Sequence, residues 1–293
     1  MILKAIVGPE QAGQRLDDAA AALFPELSKT RIRKIIDWGG CAVGEVMVRV
    51  ASRSLKEGDE IALGLLEPER CVEYALSAGD VIYEDAEYVA VNKPVGINSQ
   101  RTPYQLKGTM EYAVDVYLKG KGIREPARVV HRLDRGTSGT MFFPKSGRPA
   151  THISYMLKTG GVDKVYWALI AGAPDEDAWE VDAPIAKLSK FRYGTAIPGK
   201  PARTLFRVLA RSSEATLVEA RPLTGRTHQI RVHLVHGGFA IIGDTTYGGE
   251  HAPRMMLHCR SMAFRTRDGR EVQAEAPVDG AFIEVCARFG IEL

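Results

Sequence analysis

Apolar residues between positions 13 and 40 recur every three to four residues, which predicts two short helices. In "QRLDDAAAALFPELS", Leu16, Ala19, Ala20 and Leu23 fall on one face, and Pro25 stops the run. Ser28 is placed to cap a second helix, "KTRIRKIIDWGG", striped by Ile32, Ile35 and Ile36 and ended by Gly39 and Gly40. From Cys41 to Leu63 the pattern changes to short runs between glycine-containing turns, and strands are expected. "EPERCVEYALSAG", residues 67–79, has little periodicity and reads as a linker. It divides a small domain, residues 1–66, from a large one, residues 80–293.

In the large domain, "VIYEDAEYVAVNKPVG" alternates as two strands joined at Glu84 to Glu87, and "TMEYAVDVYLKG" is an amphipathic helix ended by Gly120. "GTMFFPK", "DKVYWALIAG", "ARTLFRVLA" and "ATLVEARPL" read as strands. "RTHQIRVHLVHGG" has helical spacing, with Ile230, Leu234 and Val235 on one side, and "VDGAFIEVCARFGI" reads as a closing helix. Strands outnumber helices and follow one another directly. That order favours an α+β fold with a mixed, largely antiparallel sheet over a doubly wound one.

Composition is that of a soluble globular protein, with 45% hydrophobic and 26% charged residues. No window approaches the roughly 18 apolar residues of a membrane span. The N-terminal residues lack the apolar run of a leader peptide. Cys41, Cys71, Cys259 and Cys286 are dispersed, which argues against a disulfide framework and for a reducing cytoplasm. A net charge of +3 does not by itself imply a polyanionic partner, so placement must decide. Lys29, Arg31, Arg33 and Lys34 place four cations in six residues with no acid among them.

The densest chemistry lies in "HRLDRGTSG", residues 131–139, where Asp134 stands between Arg132 and Arg135 ahead of a stretch that can turn sharply. A capping carboxylate would look the same, so the wider chain must decide. "NKPVG" (92–96), "HRLDRGTSG", "KVYWALIAG" (164–172) and "RPLTGRTHQIRVHL" (221–234) occur in that order. Together they resemble the RluA family of pseudouridine synthases across residues 80–293. The first segment resembles the S-four-type (α-L) RNA-binding module named after a ribosomal protein. That likeness rests on "RLDDAAAALFPELSKTRIRKIIDWGGCAVGE" and "LKEGDEI", and it departs where "EVMVRV" replaces an expected Asn-Gly turn.

The resemblance implies the pseudouridine synthase fold preceded by a small α-L domain, and isomerisation of uridine to pseudouridine in structured RNA. Ribosomal RNA is the first candidate and transfer RNA the second. It implies a catalytic set of Asp134 as nucleophile, Arg231 as its cation and Tyr166 at the target base. A reversible carboxylate nucleophile suits a reaction that breaks a bond from nitrogen to ribose and re-forms it at a ring carbon. Arg132 would fill the space left by the flipped base, with a simple phosphate contact as the alternative. Arg226 would hold the RNA backbone or orient its loop, and Arg31, Arg33 and Lys34 would lie against phosphates.

Lys93 and Pro94 read as support, and His228, His233, His236 and His258 as packing or RNA contacts, with no ligand set for a metal. No cofactor is required, and a monomer without a membrane is expected. Two departures touch other residues: "TSGTMFFPKS", and the loop at 97–110 within "INSQRTPYQLKGTM". The competing readings are a non-catalytic RNA-binding or assembly factor and a base-excising hydrolase. The hydrolase would want a second catalytic carboxylate near Asp134, and none is expected there.

Overall fold

A computed structural model describes residues 1–65, 74–102, 105–190 and 192–293. Most of the expected linker, residues 67–73 including Cys71, therefore lies outside the described residues. The chain divides into two compact units: Met1–Ala75 with Gln100–Tyr117, and Leu76–Ser99 with Leu118–Leu293.

The first unit is built on β1 (Ile2–Ile6), α1 (Leu16–Leu23), α2 (Lys29–Asp37), β2 (Cys41–Val43), β3 (Val46–Met47) and β4 (Glu60–Gly64). The strands form an antiparallel sheet in the order β1-β4-β2-β3. Leu16, Ala19, Ala20, Ile32 and Ile36 are buried with Ile61 and Leu63, as helical spacing requires. The Ser28 hydroxyl accepts the Arg31 backbone N–H at 3.2 Å, capping α2 as expected. Gln100–Tyr117 joins this unit, although sequence alone kept it with the large domain. There the Leu106 backbone N–H donates to the Trp38 carbonyl at 2.7 Å, and the Lys107 ammonium pairs with Asp37 at 2.6 Å.

The second unit contains β5 (Val81–Glu84), β6 (Tyr88–Lys93) and the end of α3 (Met110–Gly120). It continues through β7 (Ser138–Pro144), α4 (Gly147–Thr159), β8 (Val162–Ala171), β9 (Ala178–Asp182), β10 (Ile185–Lys187) and β11 (Tyr193–Thr195). It closes with β12 (Arg203–Arg211), β13 (Ala215–Pro222), α5 (Gln229–His236), β14 (Leu257–Arg265), β15 (Glu271–Glu275) and α6 (Gly280–Arg288). Nine strands form one sheet, ordered β5-β6-β7-β14-β8-β13-β12-β9, with β15 paired to β14. Only the β7–β14 pairing is parallel among these described strands, so the sheet is mixed and largely antiparallel, as expected. β10 and β11 make a separate hairpin.

One apolar cluster joins Leu169, Leu217 and Val218 of the sheet to Ile230 and Leu234 of α5 and Phe282 of α6. Another stacks Tyr88, Phe142 and Phe264 edge to face, with centroids 5.0 and 5.2 Å apart across the two closest pairs. Together they pack β7, β8 and α5 into the core, and these are the elements around Asp134, Tyr166 and Arg231.

Candidate active site

Asp134 stands in the turn that leads the chain into β7. The Thr137 N–H donates to the Asp134 carbonyl at 3.0 Å, closing that turn. Just upstream, the Ser99 hydroxyl accepts from the Leu133 N–H at 3.0 Å and donates to the Leu133 carbonyl at 2.6 Å. Downstream, Gly139 has a φ of 114°, and a Cβ there would lie 2.2 Å from the Cys259 carbonyl oxygen. Only glycine allows β7 that close to β14. At the start of β7, the Ser138 hydroxyl accepts from Arg254 Nη2 at 2.6 Å and donates to His258 Nδ1 at 2.7 Å. His258 Nε2 donates to the Ala276 carbonyl, and burial pushes this imidazole down to about 4, so it stays neutral. Backbone and buried side chains thus fix the carboxylate's position on both sides.

The facing wall is the segment that opens α5. Gln229 ties it down: its amide donates to the Arg203 carbonyl at 2.9 Å and Thr204 Oγ1 at 3.0 Å. Its oxygen accepts from Thr224 Oγ1 at 2.6 Å and the Arg226 N–H at 2.9 Å. All four of its hydrogen-bonding positions are used, which accounts for its burial. Two residues on, Arg231 Nη1 donates to Asp134 Oδ2 at 3.1 Å. The other edge of the same guanidinium grips Asp244, with Nε to Oδ2 at 2.7 Å and Nη2 to Oδ1 at 2.8 Å. Its face lies 4.8 Å from the Tyr247 ring centroid.

Asp244 and Tyr247 come from the turn after Ile241, and sequence reasoning passed over both. The turn is tight: Gly243 has a φ of 81°, and a Cβ there would stand 1.9 Å from the Arg254 carbonyl oxygen. "GDTTYGG" carries a carboxylate among closely spaced glycines, the only signal that could have marked it. Asp244 is the second carboxylate that the hydrolase reading wanted nearby. Yet its side chain is 2% exposed with both oxygens engaged, so it cannot activate a water. Asp134 is 25% exposed, and among the described residues no hydrogen bond falls on its Oδ1.

Tyr166 lies on β8 in register with Cys259 of β14. Burial raises its hydroxyl well above the ordinary tyrosine value, followed by the influence of the Cys259 thiol and of the Asp134 carboxylate. The group is therefore a neutral donor within electrostatic reach of Asp134. Lys93 is fully buried at the end of β6 and donates to the Pro94 carbonyl at 2.9 Å. Burial pushes its ammonium down to about 7, with Asp134 the largest opposing influence. His131 accepts the Phe142 N–H on Nε2, and burial pushes it down to about 3, which gives it a structural role. His233 bonds Thr204 and the Ala183 carbonyl, and His236 bonds Thr195.

The remaining candidates are spread more widely. Arg132 is exposed, 3.3 Å from Thr227 Oγ1, and exposed Arg226 donates through Nε to the Pro201 carbonyl at 2.9 Å. In the first unit the basic helix does not stand free of acids as its own sequence suggests, because α1 supplies them. Arg33 Nε pairs with Asp17 at 2.7 Å, and Lys29 pairs with Asp18. Lys34 lies 5.6 Å over the Trp38 ring, and among the described residues no ion pair is recorded for Arg31 or Lys34.

The shared guanidinium has a chemical consequence. A carboxylate that forms a covalent bond loses its charge, and a buried arginine that depended on it alone would be left uncompensated. Arg231 keeps Asp244, so Asp134 can exchange charge for a bond and recover it.

Residues 87–236, just over half of the chain, match the family described as RNA pseudouridylate synthase. The "Uncharacterized RNA pseudouridine synthase YlyB" of Bacillus subtilis (strain 168) is 33% identical over 284 residues, covering 92% of each chain. The "Ribosomal large subunit pseudouridine synthase D" of Pseudomonas aeruginosa is 30% identical over 307 residues, covering 97% of this chain and 94% of that one. Among solved structures, human RNA Pseudouridylate Synthase Domain Containing 1 is 25% identical with a TM-score of 0.58, covering 70% of this chain and 86% of its own. Human RNA Pseudouridylate Synthase Domain Containing 4 shares the fold at a TM-score of 0.64 and 24% identity, covering 73% of this chain and 94% of that one. The chain belongs to the RNA pseudouridylate synthase family, isomerases that convert uridine in RNA to pseudouridine.

Proposed function

We propose that this enzyme modifies uridines of ribosomal RNA and that Asp134 is the group that attacks. The observation that carries the reading is the Arg231 guanidinium bridging a saturated, buried Asp244 and a half-saturated, partly exposed Asp134. Net reaction moves the ribose bond from uracil N1 to C5, while C5 loses a proton and N1 gains one. Addition to the ribose, addition to the uracil ring and proton removal from the sugar all begin at one carboxylate oxygen, and Oδ1 is the free one. Tyr166, a neutral donor, lines the base. It can accept the C5 proton only by first giving up its own, which burial opposes.

Arg132 stacks where the extruded base stood, offsetting part of the few kcal/mol of unstacking. Arg226 and the α2 cations Arg31, Arg33 and Lys34 hold phosphates, with Arg33 contributing least because Asp17 already occupies its Nε. Ribosomal RNA is favoured over transfer RNA by the names of relatives such as the Pseudomonas aeruginosa protein and by the S-four-like first segment. The working form is taken as a monomer, and a cytoplasmic setting is supported by the dispersed cysteines, of which Cys41, Cys259 and Cys286 are free and buried.

The test uses ribosomal RNA fragments tritiated at uracil C5. Release of tritium is expected from the parent and none from Asp134→Asn, with RNA affinity little changed. Binding without release would return the non-catalytic factor, and free uracil would return the hydrolase. Mapping pseudouridine in RNA from cells lacking the gene identifies the target. Loss confined to transfer RNA overturns the ribosomal assignment.

A further inference from the structure

His228 is the only non-glycine with a positive φ among the described residues, at 57°, directly before α5. Such backbone is disfavoured for a residue with a Cβ and gathers at functional sites. Nothing in helix initiation demands it here, since the His228 side chain caps nothing. What the conformation does is aim the imidazole. Its Nε2 stands 3.6 Å from Asp134 Oδ2, and its Nδ1 lies 2.8 Å from the Tyr247 hydroxyl. The ring sits edge-on to Tyr193 and Tyr247, with centroids 5.3 and 5.6 Å away.

The protons follow from the neighbours. The Tyr193 N–H donates to the Tyr247 hydroxyl oxygen at 3.0 Å, leaving the hydroxyl hydrogen to donate to His228 Nδ1. The ring proton then resides on Nε2, facing Asp134. The other tautomer would turn a nitrogen lone pair toward a carboxylate. Burial holds the imidazole below its ordinary value against the pull of Asp134, so the ring is neutral.

We propose that His228 is a positioning residue for the nucleophile, directing Nε2–H at Asp134 Oδ2 in a tautomer set by the Tyr247 hydroxyl. Oδ2 is thereby held by Arg231 and His228 together, and Oδ1 is turned out as the oxygen that forms the bond. The separation of 3.6 Å exceeds a hydrogen bond and closes when substrate is seated, as catalytic contacts commonly do. This inference rests on the reading of Asp134 as the attacking group.

The experiment is a double-mutant cycle on the full-length enzyme: His228→Asn, Tyr247→Phe and the pair, read by single-turnover tritium release at saturating RNA. Asparagine tolerates the left-handed backbone but is too short to reach Asp134, and His228→Gly, which relieves the backbone, serves if the asparagine variant misfolds. Each single variant should lose about 10- to 100-fold in rate, the scale of one hydrogen bond to a charged group. RNA affinity and the melting temperature should stay near the parent's. The double variant should be no slower than the slower single, because both act along one chain of bonds. Losses that multiply, or a parent-like rate in a folded His228 variant, overturn the inference. If Asp134→Asn is inactive while His228→Asn is not, the reading of Asp134 survives without it. If Asp134→Asn is active, both fall.

Discussion

Asp17 of the first unit and Asp134 of the second both lie against guanidinium groups, but their oxygens are used differently. At Asp17, Oδ1 accepts from Arg15 Nε at 2.9 Å, and Oδ2 accepts from Arg33 Nε at 2.7 Å and Arg15 Nη2 at 3.3 Å. The carboxylate is fully buried, although the two arginines are half-exposed. Asp134 has one arginine on one oxygen and remains a quarter exposed. Its arginine is moreover anchored elsewhere, by Asp244. A carboxylate with both oxygens filled is a structural clamp. One with a free oxygen, beside a cation that does not depend on it, is equipped to react.

The largest effect should separate the two acids outright. Asp134→Asn is expected to lower single-turnover tritium release by at least about 10⁴-fold, the scale of removing a nucleophile. Asp17→Asn should leave the rate on saturating RNA within about twofold, because a carboxylate with both oxygens filled by arginines has none to offer a reacting atom. Comparable losses in both variants would dissolve the distinction. Next comes Asp244→Asn, which removes the anchor and frees Arg231 to engage both oxygens of Asp134, turning the site into a second Asp17. Urea unfolding should show a loss of about 3 kcal/mol, as when one partner of a buried ion pair is removed. The rate should fall by about 100-fold, equivalent to about 2.7 kcal/mol. An unchanged rate would mean that Arg231 needs no anchor.

Local physics was legible in the sequence and long-range pairing was not. The helices α1 and α2 and the Ser28 cap follow from spacing and capping chemistry within a few residues. The strand β14 was missed although central, because its register shifts between Cys259 and Ser261. Leu257, His258 and Cys259 are buried consecutively and alternation resumes only at Met262, so no single period describes it. α4 was missed although it is amphipathic; it fully buries only Pro149 and Ile153, with Met156 and Leu157 partly covered, and a proline in its first turn interrupts the sequence pattern. In the site, motif order drew attention to Asp134 and Arg231. Asp244 arrives from a glycine-rich turn with no periodicity, and its purpose appears only when Arg231 is seen to need a second acid. Arg33 was counted as free because its partner lies sixteen residues earlier, on another helix.

That partner sharpens the expectation for the basic helix. If cations on α2 contact phosphates, each lost contact should flatten the slope of log affinity against log salt by about 0.7–0.9. Arg31→Ala and Lys34→Ala should each do so, and Arg33→Ala should do so less. Equal slopes in all variants would return the helix to an ordinary solvated face.

The smallest effect is the pH response of Asp17 itself. The Arg15 hydrogen bond is the largest influence on the carboxyl, and the two arginines together bring it down to about 2 against desolvation. A carboxyl depressed in the folded state lends stability above its unfolded value near 4, and that contribution is lost as pH falls from about 4 toward 2. Because both arginines are half in water, the stabilisation is about 1 kcal/mol. Asp17→Asn should therefore lower the unfolding free energy at pH 7 by about that amount, and it should remove part of the parent's decline between pH 4 and pH 2. Parallel curves for parent and variant across that window would show that the clamp contributes by shape alone. The contrast with Asp134 would then rest on exposure, with charge playing no part in it.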